Sequence, residues 1–476
     1  MDHNTAGKPN LAGNILVRLL SFIVLIFLAR FAYLITVVRS NSYSDTIIYN
    51  SDDTAGRNND DDDNDSQQIA SADRVLSYYS SVFQDLIADG FLSPDSKALC
   101  IGKTPSGLET IALKRIGVTG SVAFSEAFPF KRNKFDFIVS VADSGLDSSL
   151  EPGRLAYEVL RTLKPGGFFV VHTSAKDEYS LNSLLDLFNS CRFIRSREID
   201  GLDSSWSSVR EIVLKRENWI LNHKQDSNKC SVSRHKLDLV KNAEPLILEE
   251  PLKPWITLKR NVRNINYLTS IVDIRFKNRY IYIDVGSRNY GSSIGSWFRK
   301  QYPKQNKTFE IYAMEADKAF HEEYKRRKKI TLLPYAAWVR NETLFFEISR
   351  EQSRKNGERG RGMGRIQGVQ SSSNFMGDSE KIQGMDFAEW LKKSVTERDF
   401  VVMKMDVEGT EFHLIPRLVE SGAICLIDEI FLECHYNRWQ RCCPGERSSK
   451  YGKTYGDCLE LLRSLRKSGV LVHQWF

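Results

Sequence analysis

One apolar segment followed by a glycine turn sets the strongest limit on the fold. In "NRYIYIDVGSRNYGSSIGSWFRKQYP", residues 278–303, a predicted strand ends at Asp284, and a turn containing Gly286 and Gly291 leads into a helix that we expect to end near Arg299. Glycines let the backbone approach a ligand closely, and a helix N-terminus offers free N–H groups. The segment therefore predicts an α/β unit of the kind that holds nucleotides.

The segments that follow extend this unit. "TFEIYAMEAD" predicts a strand that ends in Glu315, 31 residues after Asp284 and placed to accept hydrogen bonds from a ribose. "KKITLLPYAAWV" and "ETLFFEIS" predict further strands, and "VVMKMDVEGTEFHLI" runs from a strand into a helix expected to begin near Gly409. Asp406 follows this strand at the carboxyl edge of the sheet, where open α/β folds bind ligands.

An earlier region, residues 72–216, also alternates strands and helices. "KALCIG", "FDFIVSV", "EPGRLAYEVLRTL" and "GGFFVVHTS" predict a parallel sheet with covering helices. "PFKRNKFDFIVS" and "LKPGGFFVVHTS" resemble the later half of class I methyltransferases that use S-adenosylmethionine. The earlier half departs from that family, because Cys100 stands where the family has an acidic residue. Only 21 residues separate Gly107 from Pro129, too few for the family's helix, two strands and ribose-binding carboxylate. We therefore predict a degenerate methyltransferase-like domain with a structural or partner-binding role.

Residues 279–435 resemble the FkbM-type methyltransferases, which use S-adenosylmethionine and act mainly on hydroxyl oxygens. "YIDVGSRNYG", "YAMEAD", "GMDFAEWL" and "VVMKMDVEGTEFHLI" carry the resemblance. It implies an α/β chain with two Rossmann-like class I methyltransferase domains, each a three-layer α/β/α structure. It also implies S-adenosyl-L-methionine as cofactor, bound by Asp284, Gly286, Ser287, Gly291 and Glu315. One departure stands out: Arg288 and Tyr290 enter the glycine loop, and Gly291 comes one position later than in the family.

Methyl transfer to a hydroxyl needs alignment of the reactants and a group that takes the proton. Asp406 is the first candidate for this base or for orienting the acceptor, and His435, which titrates nearer neutrality, is the second. The alternative for His435 is a hydrogen-bonded structural histidine at the sheet edge. We expect Glu408 to cap the following helix, whereas the role of Glu411 stays open. Two carboxylates so close to a helix start are more often caps than metal ligands, so we predict no metal.

The N-terminus predicts a membrane anchor. Residues 19–38, "LLSFIVLIFLARFAYLITVV", supply about 20 residues, enough to cross a hydrocarbon core of roughly 30 Å. A cleaved signal peptide is the alternative. The charges on either side favour a type II arrangement, with residues 1–18 in the cytoplasm. Residues 39–70 read as an acidic, disordered stem, residues 217–262 as a linker, and residues 263–476 as the second domain.

Three remaining features limit the partners. The net charge of +7 suits acidic partners such as uronic-acid glycans without selecting them. The cysteines form no common zinc pattern, so we expect disulfides or buried thiols at Cys434 and its neighbours rather than a metal cluster. The segment 349–381 contains "RGRG", but we interpret it as a basic lid or surface insertion and predict no nucleic-acid binding.

Together these observations predict a membrane-anchored O-methyltransferase of the Golgi or another endomembrane compartment. Its acceptor is expected to be a glycan or a small hydroxyl-bearing molecule. The alternative is a non-catalytic methyltransferase-like scaffold or partner protein in the Golgi.

Overall fold

The structure is a computed structural model. It describes residues 62–102, 107–124, 129–142, 144–202, 208–217, 232, 234–352, 359–367, 377–440, 443 and 445–475. The predicted cytoplasmic tail and membrane anchor, residues 1–38, lie outside these ranges. Within them, no helix combines the length and the apolar character needed to cross a bilayer.

The chain divides into two compact units, Met1–Asp73 and Arg74–Phe476. Helix α1, Asp62–Ala88, is the first described element, and it begins inside the segment for which the sequence predicts a disordered stem.

The first α/β region contains one six-stranded sheet. Its elements are β1 Ala98–Ile101, α2 Leu108–Arg115, β2 Val122–Phe124, β3 Phe135–Ser140, α3 Pro152–Thr162, β4 Leu163–Thr173, α4 Glu178–Leu187, β5 Cys191–Ile199 and β6 Val209–Arg216. The strand order is β2-β1-β3-β4-β6-β5, with β1 to β4 parallel and β6 antiparallel to both of its neighbours. Between β1 and β3 the described residues form one helix and one strand, as the short interval requires.

The second region is larger. Its helices are α5 Arg234–Val240, α6 Pro254–Asn261, α7 Leu268–Ile271, α8 His321–Lys325, α9 Phe387–Ser394, α10 Glu411–Glu420 and α11 Tyr455–Lys467. Its strands are β7 Tyr280–Val285, β8 Glu310–Met314, β9 Thr331–Leu333, β10 Ala336–Trp338, β11 Glu342–Gln352, β12 Arg359–Ile366, β13 Gly377–Asp386, β14 Phe400–Met405, β15 Glu429–Leu432 and β16 Leu471–Gln474. The helix expected after the glycine turn is short: a π-helical turn spans Ile294–Phe298.

The main sheet of this region has the order β9-β8-β7-β14-β15-β16, and all of its strands are parallel. In chain order this is 3-2-1-4-5-6, the doubly wound arrangement, whose direction of winding reverses between β7 and β14. Such a switch point leaves a crevice at the carboxyl ends of the two strands. The α/β fold predicted from the sequence is thus confirmed, and its topology indicates where to look for a ligand site.

Both faces of the main sheet are covered, which makes it the middle of three layers. Alternate residues of β7 point to opposite faces: Ile281 and Ile283 contact the apolar sides of α9, α10 and α11. Tyr282 faces the other way and stacks on Phe298, with ring centroids 3.8 Å apart. Because both faces are buried, the strand has few polar residues. Asp284 is one of them, and since it has no exposed surface, its carboxylate needs partners inside the fold.

The four remaining strands form a separate sheet in the order β10-β13-β11-β12. The "RGRG" segment, interpreted from the sequence as part of a basic lid or surface insertion, lies in β12 and pairs antiparallel with β11. One glycine of β12 has a packing reason: a side chain at Gly364 would collide with the ring of Phe346 on β11. Arg365 also reaches Glu347 across the strands at 3.2 Å. Non-local pairing therefore makes a strand of a sequence whose glycines locally favour a loop.

Part of the predicted linker belongs to the second region. After α5, Glu244 enters the interior, where one of its carboxylate oxygens lies 2.8 Å from Nδ1 of His473 on β16. Glu429 on β15 lies 2.9 Å from the other ring nitrogen. Burial alone would lower the pKa of His473, but the two carboxylates outweigh burial and raise that pKa to about 9. This buried charge network attaches residues 240–250 to the main sheet.

Candidate active site

A cavity of about 170 Å³ lies at the carboxyl ends of β7, β8 and β14, at the switch point of the main sheet. Three predicted site residues line it: Gly286, Glu315 and Asp406. Phe346 and Met363, from β11 and β12, line the cavity as well. The volume is below the range of roughly 300 to 1,000 Å³ that is typical of small-molecule pockets. An adenosine-sized ligand therefore needs one of the lining groups to move.

The turn after β7 requires glycine at one position. Gly286 has a positive φ of 77°, and a Cβ atom there would overlap the carbonyl oxygen of Asp406. The backbone N–H of Gly286 donates to the carbonyl oxygen of Met314 at 3.0 Å, and the N–H of Asp406 donates to that of Val285 at 2.9 Å. The ends of β8, β7 and β14 are thus tied together, and the backbone is held close to the cavity.

Three other predicted cofactor residues lie outside the cavity lining. Asp284 is fully buried, and its carboxylate accepts a hydrogen bond from the hydroxyl of Ser293. Burial raises the pKa of Asp284, although Lys404 and Ser293 oppose the change. Ser287 is also fully buried, and Gly291 lies on the exposed side of the loop. Asp284 therefore supports the turn from inside the fold.

Glu315 faces the cavity, but its carboxylate already accepts two backbone hydrogen bonds. The N–H of Arg288 donates to Oε2 at 2.5 Å, and the N–H of Asp317 donates to Oε1 at 2.7 Å. Burial raises the pKa of Glu315 to about 7, and the two N–H groups partly offset this effect. A carboxylate has about four acceptor positions, so two stay available for the hydroxyls of a ribose.

Arg288 is the residue that partly fills the cavity. Its backbone adopts a left-handed conformation with φ 50°, and its guanidinium Nη1 lies 2.9 Å from the sulfur of Met363 on β12. The side chain thus extends from the glycine loop towards the smaller sheet. The departure from the family pattern at this position has a direct structural effect, because Arg288 occupies space next to Glu315 and Asp406.

A buried lysine organises the centre of the site. The ammonium of Lys404, on β14, lies 3.0 Å from Asp406 Oδ2 and 3.8 Å from Asp284 Oδ1, and it donates to the carbonyl oxygen of Gly286 at 3.4 Å. Burial alone would lower the pKa of Lys404, but Asp406 and Asp284 outweigh it and hold that pKa above its usual value. Burial would raise the pKa of Asp406, and Lys404 and His435 reverse that effect and lower it. The pair is therefore ionised at neutral pH.

His435 follows β15 and is held by Glu411, from the first turn of α10. Glu411 accepts hydrogen bonds from the backbone N–H groups of His435 at 2.7 Å and Gly409 at 2.9 Å, and it lies 3.2 Å from His435 Nδ1. The opposite ring nitrogen, Nε2, lies 3.5 Å from Asp406 Oδ1. Burial alone would lower the pKa of His435, but Glu411 and Glu408 outweigh it and raise that pKa to about 10. The structure thus brings together the two predicted catalytic residues.

The capping role expected for Glu408 is wrong. Its backbone has φ 50°, and its carboxylate lies 2.7 Å from the ammonium of Lys450 and accepts a hydrogen bond from the hydroxyl of Tyr451. Glu411 binds the free N–H at this turn instead. Glu408 therefore lines the cavity as a charged group supported by residues some 40 positions further along the chain.

Sequence reasoning missed two charged residues of this site. Lys404 interrupts an apolar strand, which is the signal that marks a lysine with buried partners. Glu433 follows β15, and its Oε1 lies 3.9 Å from His435 Nε2. Burial, together with the nearby charge of Asp406, raises the pKa of Glu433 to about 7. No local pattern distinguishes Glu433 from an ordinary residue at a strand end.

A disulfide fixes the neighbouring backbone. Cys434, directly before His435, is bonded to Cys458 in α11, with Cα atoms 6.0 Å apart. This agrees with the expectation of a disulfide rather than a metal cluster at Cys434. The bond holds the segment after β15 against α11, and so it limits how far His435 can move.

One family model, whose description gives no activity, matches less than half of the chain. A family model described as a domain of unknown function (DUF7870) matches residues 240–344 and 362–476, which include the residues of the candidate site named above except Phe346. No curated protein matches the chain.

Similar solved structures are methyltransferases that depend on S-adenosylmethionine. One from Thermotoga maritima is 16% identical and covers 33% of this chain and 96% of its own, with a TM-score of 0.24. One from Aquifex aeolicus is 14% identical and covers 28% and 88%, with a TM-score of 0.23. The 1,6-didemethyltoxoflavin-N1-methyltransferase of Burkholderia thailandensis is 12% identical and covers 33% and 84%, with a TM-score of 0.24. Similarities this distant assign no function to the chain.

Proposed function

We propose that this protein is an S-adenosylmethionine-dependent O-methyltransferase. The observation that carries the proposal is the cavity at the switch point, where Glu315, the turn at Gly286 and Asp406 meet. A carboxylate at the end of the second strand with free acceptor positions suits the two hydroxyls of a ribose. A glycine turn that brings the backbone to the cavity suits close contact with the rest of the cofactor.

The residues present fit this cofactor if one side chain moves. Glu315 would hold the ribose, and the backbone at Gly286 and Ser287 would lie against the amino-acid part. The bound cofactor supplies a methyl group on a positively charged sulfur. The side chain of Arg288, which lines the cavity, would have to move to make room for the cofactor.

The chain's own part in the reaction is to position the acceptor and receive its proton. Asp406 lines the cavity, and Lys404 holds its Oδ2, so the carboxylate has a fixed orientation. An acceptor hydroxyl that hydrogen-bonds to this carboxylate is oriented for attack and has an acceptor for its proton. His435 is protonated at neutral pH in this arrangement, so its part is to orient Asp406 rather than to act as the base.

The finer parts of the proposal concern place and acceptor. We propose a type II membrane protein of the Golgi or another endomembrane compartment, anchored by residues 19–38, whose acceptor is a glycan or a small hydroxyl-bearing molecule. The disulfide between Cys434 and Cys458 supports an oxidising compartment. The net charge of +7 suits an acidic glycan. Protease protection of the C-terminal region in intact vesicles tests the orientation, and digestion there without detergent would contradict it.

Calorimetric titration of the purified full-length chain with S-adenosylmethionine tests the function. We expect saturable binding, reduced at least 10-fold by Glu315→Ala, because a hydrogen bond to a charged group contributes about 1.5 to 3 kcal/mol. Glu310→Ala is the matched control: Glu310 begins the same strand, at the end away from the cavity, and should leave the affinity unchanged. If the chain shows no saturable binding at millimolar cofactor, the proposal of an enzyme is refuted and the scaffold alternative is favoured.

The scaffold alternative has one observation in its favour. Arg288 and Met363 contact each other and both line the cavity, whose volume of about 170 Å³ is small for this cofactor. If Arg288→Ala binds the cofactor and the natural chain does not, the cavity is closed in the natural protein, and the site has kept its fold without its ligand.

A further inference from the structure

We propose that Asp406, Glu408 and His435 bind a divalent cation, with Mn²⁺ as the best-suited ion. One ligand atom from each of these residues lies within 4.8 Å of the others. All three come from loops that follow β14 and β15 at the carboxyl edge of the main sheet. Asp406 and Glu408 also line the cavity, so an ion held here would border the proposed cofactor site.

The distances suit an ion at the centre of the group. His435 Nε2 lies 3.5 Å from Asp406 Oδ1 and 3.9 Å from Glu408 Oε1. Ligand atoms about 2.1 Å from a shared octahedral ion are about 3.0 Å apart when adjacent and about 4.2 Å apart when opposite. The observed separations fall between these limits, so an ion fits with side-chain rotations alone. Glu433 Oε1, at 3.9 Å from the same nitrogen, is placed to serve as a further ligand.

The hydrogen bonding around His435 is an independent observation that points to a ligand. The imidazole is only 2% exposed, and Glu411 engages Nδ1, which leaves Nε2 directed at the carboxylates. Metal-binding histidines commonly have the second ring nitrogen held by a carboxylate in this way. Within the described residues, Asp406 Oδ1 is buried without a hydrogen-bond partner. An ion that replaces the proton on Nε2 would bind both this nitrogen and Asp406 Oδ1, and Glu411 is then a positioning residue.

The charges in this part of the fold also favour a cation. Five carboxylates surround two ammonium groups at or next to the site; they are Asp284, Asp406, Glu408, Glu411 and Glu433, with Lys404 and Lys450. Buried charges are costly unless opposite charges compensate them. With His435 protonated these groups carry a net charge of −2, and a divalent ion that replaces the proton on His435 Nε2 reduces it to −1.

The ligand types select among the common ions. Carboxylate oxygens suit Mg²⁺, Ca²⁺ and Mn²⁺, whereas an imidazole nitrogen suits transition metals. A set with one imidazole and two or three carboxylates therefore favours Mn²⁺ over Mg²⁺. The binding site stands by itself, but a role for it rests on the proposed function: an ion beside Asp406 would lower the pKa of an acceptor hydroxyl and make it a better nucleophile.

Titration of the full-length chain with Mn²⁺, followed by the electron paramagnetic resonance signal of the free ion, tests the inference. We expect about one bound ion per chain, and affinity at least 10-fold weaker in both His435→Ala and Asp406→Asn. His413→Ala is the matched control, since His413 is exposed on α10, and it should bind Mn²⁺ as the natural chain does. Circular dichroism of each variant shows whether it is folded, and so whether weaker binding comes from the missing metal-binding side chain or from loss of the fold. Asp406→Asn keeps the test valid if His435→Ala does not fold.

No Mn²⁺ bound by the natural chain, or equal binding by the folded Asp406→Asn and His435→Ala variants, would overturn the inference. The cofactor titration described above is independent of this result. Cofactor binding without Mn²⁺ binding would refute the metal site and keep the proposed function. Mn²⁺ binding without cofactor binding would support the metal site and refute the proposed function.

Discussion

Replacing Lys404 with methionine should destabilise the second α/β region severely. The substitution keeps the length of the side chain and removes the charge that lies 3.0 Å from Asp406 and 3.8 Å from Asp284. At an effective dielectric constant of about 20, these two attractions amount to about 5.5 and 4.4 kcal/mol before desolvation. Desolvation of the ions offsets most of that gain in the natural protein, but the variant retains two buried carboxylates without their cation. Breaking a buried pair in this way typically costs 3 to 5 kcal/mol.

We therefore expect Lys404→Met to lower the free energy of unfolding by about 4 kcal/mol, a large part of the 5 to 15 kcal/mol typical of a domain. Urea denaturation followed by tryptophan fluorescence measures it, because Trp297 is buried against the main sheet. Lys393→Met, at an exposed position of α9, is the control and should change stability by less than about 0.5 kcal/mol.

A double variant separates the charge effect from lost packing. Adding Asp406→Asn removes one of the stranded charges, so Lys404→Met with Asp406→Asn should be more stable than the sum of the single effects predicts, by about 1 to 3 kcal/mol. A loss below about 1 kcal/mol in the single variant would refute the reasoning. Strict additivity in the double variant would also refute it, because it would show that the ammonium and the carboxylate do not interact.

Three further predictions concern the turn, the cavity carboxylate and the disulfide. Gly286→Ala should lower the thermal unfolding midpoint, at a cost of more than about 2 kcal/mol, because its Cβ would overlap the carbonyl oxygen of Asp406; an unchanged melting curve would contradict this. Glu315 has a pKa raised to about 7, above its unfolded value, so the stability that it contributes is present at low pH and is lost as pH rises through 7. The free energy of unfolding at pH 5 should therefore exceed that at pH 8 by roughly 3 kcal/mol more in the natural chain than in Glu315→Gln. Equal differences in the two proteins would contradict this. Cys458→Ser should lower the free energy of unfolding by about 3.5 kcal/mol, because it removes the 24-residue link to Cys434. Urea denaturation measures this loss, and a reductant should cause no further loss through this bond.

The parts of the fold that depend on local sequence are the parts that the sequence predicts well. The apolar runs that became β1, β3, β7 and β14 carry their own signal, since a strand buried on both faces must be apolar along its length. Strand β12 shows the opposite case. Its glycines favour a loop locally, and only the pairing with β11 and the packing of Phe346 against Gly364 make it a strand. Such contacts are non-local and leave no periodic pattern in the segment itself.

The same distinction applies within the site. Asp406 was predictable because strand ends meet at one edge of a parallel sheet, and His435 lies at that edge for the same reason. The hydrogen bond from the backbone N–H of His435 to Glu411 joins residues 24 positions apart, so the short segment that contains the three carboxylates does not reveal which of them holds the histidine. Glu408 was assigned by helix-cap rules, which apply to residues with helix-terminal geometry. Its left-handed backbone turns the side chain towards Lys450 instead.

Arg288 connects the question of activity to the smaller sheet. Its N–H binds the carboxylate that we assign to the ribose, and its side chain contacts Met363 on β12. A ligand that displaces the guanidinium would break the contact with β12, whereas the backbone hydrogen bond to Glu315 can be kept. Ligand binding and the position of β12 are therefore coupled through one side chain. If the protein is an enzyme, Arg288→Ala should bind cofactor at least as tightly as the natural chain, because the cost of emptying the cavity is removed. Weaker binding by that variant would mean that the guanidinium itself contacts the ligand.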